Sequence, residues 1–430
     1  MPLPDTAERD AAGRLRVGGC DLAELAGRHG TPLYVFDEET IRARLRAYRH
    51  GLDTWAPGGD VLYSAKAYFG LAMARLVVEE GVGVDVVSGG ELELALRAGV
   101  PAARIAFAGS NKSRAEVEQA AEAGIGHLVV DSALELGMAM EVGAPRPIRV
   151  LLRVSPGIDP HTHRFISTGQ LDSKFGFPVE DGTALRVLGD ALSSDGLDVA
   201  GVHAHIGSQI TDLGGYTRAI ERVFDLLAAA RRDHGFEARA LSVGGGLAIA
   251  HTRADEAPTV DALMSTVTSA VAAACDKNAM PQPILLVEPG RSVVGNAGVA
   301  VYTVGARKQI PGVRTYVSVD GGMADNLRPM LYGARYEPVP VVESAGAAHE
   351  VVTVAGRYCE SSDVLVESAS LPRLEPGDLL ALPAAGAYTL SMSSNYNGAP
   401  RPAVVFVRDG TARLVRRRET LDDWLGPELA

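Results

Sequence analysis

The chain has 430 residues, with 41 lysines and arginines against 53 aspartates and glutamates, and a net charge of −12. That acidity, with no basic run and no basic–aromatic stripe, argues against nucleic acid as a partner. No apolar stretch reaches the ~18 residues of a membrane span, and the first residues lack the apolar core of a secretory signal. Cys20, Cys275 and Cys359 are too few and too scattered for a disulfide scaffold. A cytoplasmic globular enzyme is expected. Its length suits two or three domains at roughly 100–200 residues each, or one large barrel with a smaller companion.

In chain order, an early strand at Leu33–Phe36 comes first. Eight short apolar runs follow: Val61–Lys66, Gly83–Ser88, Arg104–Gly109, His127–Asp131, Ile148–Val154, Val199–Gly207, Leu241–Gly244 and Leu285–Glu288. Helical periodicity at Leu71–Glu80, Glu91–Ala98, Ala115–Ala123 and Tyr216–His234 falls between them. Strands apolar enough to be covered on both faces, each followed by a crossover, predict a (β/α)8 TIM-like barrel. No G-x-G-x-x-G follows the first of them, which disfavours an open dinucleotide-binding sheet. Beyond about Val299, strands at Tyr316–Asp320, His349–Val354, Asp378–Leu382 and Pro402–Val407 carry no long helices between them. The expected organisation is an α/β barrel over 41–296 and an all-β domain over 297–430, the latter taking in the N-terminal segment 1–40.

Barrel enzymes place their chemistry at the C-terminal ends of the strands, and here those ends are polar and glycine-rich. Lys66 closes the first. A lysine in an apolar strand must pair, snorkel or react, and a desolvated amine is a Schiff-base nucleophile. Only five of the 41 basic residues are lysines, which makes each retained one informative. Gly244, Gly245 and Gly246 end the seventh strand and Gly290 follows the eighth, where phosphate sites form in such barrels; a plain tight turn is the other reading. Glu288 is an acid at the end of an apolar strand, able to pair with Arg291 or to keep a pyridine nitrogen protonated. His203 and His205, two apart on one predicted strand, would face one side. With His161 and His163 they permit a zinc site; a ring lying on a cofactor face is the alternative. Cys359 is either a small buried hydrophobe or, beside Glu360, a thiol on a surface turn able to donate a proton.

Taken together, Tyr63-Ser64-Ala65-Lys66-Ala67, His205-Ile206-Gly207-Ser208-Gln209, Gly244–Gly246, Glu288-Pro289-Gly290-Arg291 and Cys359-Glu360-Ser361 resemble the fold-type III pyridoxal-phosphate-dependent decarboxylases. The similarity runs from about Cys20 to Arg401 and is strongest to the subgroup acting on diaminopimelate. It implies pyridoxal 5'-phosphate as cofactor, an amino-acid substrate, and a homodimer with Cys359 and Glu360 contributed across the interface. By the same resemblance Lys66 would hold the cofactor covalently and His205 would stack on its ring. Ser208, Gly244–Gly246, Gly290 and Arg291 would bind its phosphate, and Glu288 its ring nitrogen. Cys359 would protonate the carbon that loses CO2. Tyr388 would lie near cofactor and substrate, and Arg291, Arg328, Tyr332 and Glu360 would contact substrate. A guanidinium at Arg328 suits a distal carboxylate, where a distal ammonium would call for an acid. Ile166–Gly169 and Ser173–Gly176 resemble that subgroup's specificity loop, while Arg164 and Leu327 depart from its pattern. The implied reaction is decarboxylation of meso-2,6-diaminopimelate to L-lysine; the same chemistry on another acidic or carrier-tethered amino acid is the alternative.

Overall fold

Eight parallel strands close on themselves: Gly59–Ser64, Gly83–Val86, Ile105–Phe107, His127–Val130, Ile148–Ser155, Leu197–His203, Ala240–Ser242 and Ile284–Val287, the last pairing back onto the first through Val287 and Val61. The chain is seen in a computed structural model that describes residues 2–144, 146–158, 174–343 and 346–429. The strands are mostly apolar and buried in their middles because both faces are covered, the outer one by crossover helices. Inside, Leu62, Ala106, Ala108, Val129, Leu151, Ala200, Ala240 and Leu286 form one cluster. Its small side chains let inward-facing residues from opposite strands meet at the barrel axis. Ser88, Ser113 and Ser132 start successive crossover helices by accepting a backbone N–H of the first turn, which satisfies an otherwise orphaned donor.

Residues 44–248 and 257–290 form this compact unit; residues 1–43, 249–256 and 291–430 form a second. The second is built on a sheet whose central strands are Gly298–Ile310 and Leu33–Asp37. The early strand pairs antiparallel with the first of these (Val35 opposite Val299) and parallel with Ala403–Arg408 (Val35 opposite Val405). The N-terminal segment is thereby part of the β unit. Leu15, Val17, Leu22, Leu33, Val35, Val299, Val301, Val405 and Val407 fill its core. Among the described residues no helix is long and apolar enough to cross a membrane.

Two local expectations are corrected. The first barrel strand stops at Ser64, and Lys66 stands on a 3-10 turn, Ala65–Ala67, exposed between two buried alanines. It is therefore presented by a turn rather than embedded in a strand. The sixth strand ends at His203, so His205 lies in the following loop and the two histidines do not share a strand face. His161, His163, Arg164, Ile166–Gly169 and Ser173 lie outside the described residues.

Candidate active site

The barrel carries a cavity of about 310 Å3 lined by Lys66, Asp85, Arg153, Phe175, His203, His205 and Glu288, with Val87, Ala108, Gly109 and Ser110. Three sequence-predicted residues from the first, sixth and eighth strand ends thus meet in one place. Glu288 is 6% exposed. Its Oε2 lies 3.0 Å from His203 Nε2, and its Oε1 accepts the Ser242 hydroxyl at 2.6 Å. Burial alone would raise this carboxyl, but His203 and Ser242 outweigh it and hold Glu288 below the ordinary carboxylate range. Asp85 behaves oppositely. Burial, then the charge of Glu288, pushes it up, although Ser64 Oγ donates to its Oδ2 at 2.8 Å. Two carboxyls in one low-dielectric pocket do not both ionise readily, and here Glu288 is the one that keeps the charge. His205 is held well below the usual histidine range by burial, then by the Lys66 and Arg153 charges, so its ring is neutral.

The glycines form a close-fitting floor. Gly244 and Gly246 have φ of +67° and +117°, which favours glycine. A Cβ on Gly245 would strike the Glu288 carbonyl oxygen, and one on Gly246 the Gly207 carbonyl oxygen. The Gly245 amide donates to His205 Nδ1 at 3.2 Å, and Gly246 accepts from Ile210 at 2.9 Å. The loop carrying Ser208 is thereby laced along the glycine run. Gly290 lies flat against the turn that presents Lys66: a Cβ there would sit 3.1 Å from Ala67 Cβ and from Ser64 Cβ.

In the β unit a second polar group is buried. Arg291 places its guanidinium 4.8 Å from the centre of the Tyr388 ring, and Tyr388 holds a left-handed backbone (φ +58°). That conformation is costly for an aromatic residue and persists only where its surroundings impose it. Burial, then the Arg328 charge, brings Arg291 down to about 10. Arg328 opens the short helix Arg328–Tyr332 and is 5% exposed; its Nη1 donates to His251 Nε2 and to the Tyr336 hydroxyl, both at 3.0 Å. Arg291, Arg328, Tyr332 and Tyr388 are accordingly brought together.

Cys359 and Glu360 are not buried with them. Both stand exposed on a turn, where the Cys359 amide donates to Asn397 and Glu360 accepts from the Tyr396 hydroxyl at 3.2 Å. Asp363 ties that turn down, accepting from the amides of Met323 at 2.7 Å and Tyr358 at 2.9 Å. Sequence reasoning left Asp85 and Arg153 out of the site, placed Phe175 only within the Ser173–Gly176 segment, and left His251 and Tyr336 out of the arginine cluster. Asp85 was visible at the end of the second strand. Arg153 lies 4.2 Å from the centre of the Phe175 ring, a contact no local pattern announces.

These residues fit pyridoxal phosphate. Lys66 has the amine that its aldehyde would take, Glu288 an ionised carboxylate suited to its ring nitrogen, and Gly244–Gly246 a cradle that side chains would block. Asp85 Oδ1 is a buried acceptor with no partner among the described residues. A lysine, an ionised acid and a glycine cradle at one end of a (β/α)8 barrel suit pyridoxal-phosphate chemistry.

Comparison with known proteins agrees. Residues 38–295 match the pyridoxal-binding domain of pyridoxal-dependent decarboxylases. The chain belongs to that family and, within it, to the diaminopimelate decarboxylases, which are carboxy-lyases. It is 44% identical to the diaminopimelate decarboxylase of Bacillus subtilis, over 98% of this chain and 97% of that one. It is 40% identical to that of Mycobacterium tuberculosis, over 99% and 97%. The crystal structure of diaminopimelate decarboxylase from M. jannaschii in co-complex with L-lysine superposes with a TM-score of 0.93 at 36% identity, covering 99% of this chain and 98% of that one.

Proposed function

We propose that the chain decarboxylates meso-2,6-diaminopimelate to L-lysine and CO2, the last step of lysine biosynthesis, in the cytoplasm. The observation that carries the substrate is the buried Arg291–Arg328 cluster, which suits a carboxylate and not an ammonium.

Pyridoxal phosphate, when bound, supplies the electron sink for the pair released with CO2. Lys66 would hold it by its amine. Glu288 would keep its ring nitrogen protonated, and the neutral His205 ring would support its ring. Ser208, Gly244–Gly246, Gly290 and Arg291 would bind its phosphate. Arg328, Arg291 and Tyr332 hold the carboxylate that stays on the molecule, and Tyr388 positions substrate beside them. The Cys359 thiol gives its proton to the carbon that lost CO2, with Glu360 contacting the distal amino-acid group.

The turn of Cys359 and Glu360 is exposed in one chain, and the exposed Tyr396 lies against it. This supports a homodimer in which that turn completes the partner's site. Two inactive variants, Lys66→Ala and Cys359→Ala, should then complement: random mixing of subunits restores roughly a quarter of wild-type activity, since half the dimers hold one intact site. No recovery on mixing overturns the shared site.

Mass spectrometry of products tests the reaction itself. The loaded protein is incubated with meso-diaminopimelate and, in parallel, with L-ornithine and L-lysine. Lysine should form from the first, with little diamine from the others. A cofactor-loaded protein that makes no lysine excludes this substrate.

A further inference from the structure

The Arg328 guanidinium is anchored in an unusual way. Among the described residues it forms no ion pair, and its Nη1 gives both of its hydrogen bonds to uncharged groups, His251 Nε2 and the Tyr336 hydroxyl. The Asn326 amide oxygen continues the chain, accepting from the Arg328 backbone N–H at 3.4 Å and from the Tyr336 hydroxyl at 3.5 Å. His251 and Tyr336 also meet edge to face, with ring centres 5.8 Å apart.

An arginine cannot accept a hydrogen bond, so His251 Nε2 must be the acceptor and the ring carries its one proton on Nδ1. Three facts keep it so. His251 is 7% exposed. Burial, then the Arg328 and Arg291 charges, pushes it down to about 3. The ring also hydrogen-bonds the backbone of Ile249, and the His251 amide is fixed on Asp255 Oδ2 at 2.9 Å. The ring is therefore neutral wherever the enzyme is folded and working.

On the other edge of the same guanidinium, Arg328 Nε is buried with no partner among the described residues. An unpaired buried donor costs free energy in the absence of an acceptor. A buried, unpartnered Nε on a cation suits a carboxylate, which prefers a planar two-pronged contact with a guanidinium edge.

We propose that His251 is a positioning residue for substrate recognition: with Tyr336 it fixes the Arg328 fork through neutral acceptors alone, leaving the full positive charge and the Nε edge for the carboxylate that the substrate keeps. A carboxylate in place of His251 would hold the fork equally well, yet it would neutralise the charge and compete with the substrate. The inference rests on the proposed role of Arg328 in holding that carboxylate.

The test uses the full-length, cofactor-loaded enzyme and four variants: His251→Glu, His251→Gln, Tyr336→Phe and Arg328→Leu. Two quantities are read: KM and kcat for meso-diaminopimelate, and inhibition constants for L-lysine and for 1,5-diaminopentane. L-lysine retains the carboxylate in question; 1,5-diaminopentane has none. For His251→Glu, KM and the L-lysine constant should rise about tenfold or more, with kcat and the diaminopentane constant within about twofold. His251→Gln, a neutral acceptor of similar reach, should restore both to within about threefold, and Tyr336→Phe should weaken L-lysine binding alone by a few-fold. Tyr336→Phe reads the same effect if His251→Glu does not fold. Equal weakening of both inhibitors, or no difference between the Glu and Gln variants, overturns the proposal while Arg328 keeps its role. If Arg328→Leu leaves L-lysine binding unchanged, the reading of Arg328 itself fails and takes this inference with it.

Discussion

Replacing Lys66 by alanine should cost at least about a thousandfold in kcat/KM, because the covalent anchor and nucleophilic amine are lost together. The fold should barely register the change. Lys66 is the exposed member of its turn, while Ala65 and Ala67 are the buried ones. The turn is fixed by other groups: Ser64 donates its amide to Pro289 at 2.9 Å, and the Tyr63 hydroxyl donates to the Tyr68 carbonyl at 2.6 Å. Stability should therefore stay within about 0.5 kcal/mol, as for surface substitutions away from special features. Lys66→Arg is the informative control, since it keeps the positive charge but has no nucleophilic amine at neutral pH. Both variants should fail to retain pyridoxal phosphate on the chain after borohydride reduction, read by peptide mass mapping. Label on Lys112 instead would refute the assignment. That outcome is disfavoured by geometry, since Lys112 is buried in an ion pair with Glu135 at 3.0 Å.

Glu288→Gln should lower kcat by about a hundredfold or more, the usual effect of removing one preorganised charge from a buried site. Glutamine preserves the shape and can still accept from His203, so the cofactor should remain bound. The lost quantity is negative charge at the ring nitrogen. A secondary effect carries a definite sign. Asp85 is pushed up partly by the Glu288 charge, so removing that charge lets Asp85 ionise at lower pH. Any limb of the pH–rate profile due to Asp85 should move toward acid. If kcat stays within about threefold of wild type and no limb moves, Glu288 serves only to orient His203. Circular dichroism and thermal melting separate this from unfolding: loss of a hydrogen-bonded buried charge is expected to cost about 1–3 kcal/mol, which a barrel of this size survives.

The linkage of Glu288 to stability runs in the acid direction. Its folded pKa lies below the unfolded value, so its contribution is present above the unfolded carboxylate range and is lost as pH falls through the folded value.

Much of the barrel was legible because parallel strands covered on both faces must read as continuous apolar runs. All eight appear within a few residues of where those runs place them. Their ends were less legible. Val61–Lys66 and Val199–Gly207 looked like strands to their last residue, yet the strands end at Ser64 and His203. Polar residues at a strand end carry no periodicity that marks where pairing gives way to a loop. The long strand Gly298–Ile310 was missed, since Gly305 after its apolar first half reads as a turn and the polar Arg307, Lys308 and Gln309 follow, whereas the strand continues through a register shift between Val304 and Arg307. Gly245 could be read as part of a phosphate cradle or as a turn, and only the nearness of the Glu288 carbonyl oxygen shows how little room it has.

Read alone, the sequence carried the architecture and the inventory of chemistry: a barrel with a β companion, a lysine, a triple glycine and an acid at the first, seventh and eighth strand ends, and a guanidinium suited to an acidic substrate. Local pattern suffices for these, because strand and helix periods and turn residues are written over a few positions. The tertiary structure alone decided how the groups are paired and charged. His203 meets Glu288 across 85 residues of chain, and His251 meets Arg328 across 77. Protonation follows burial and neighbouring charge, and neither exists until distant segments have come together.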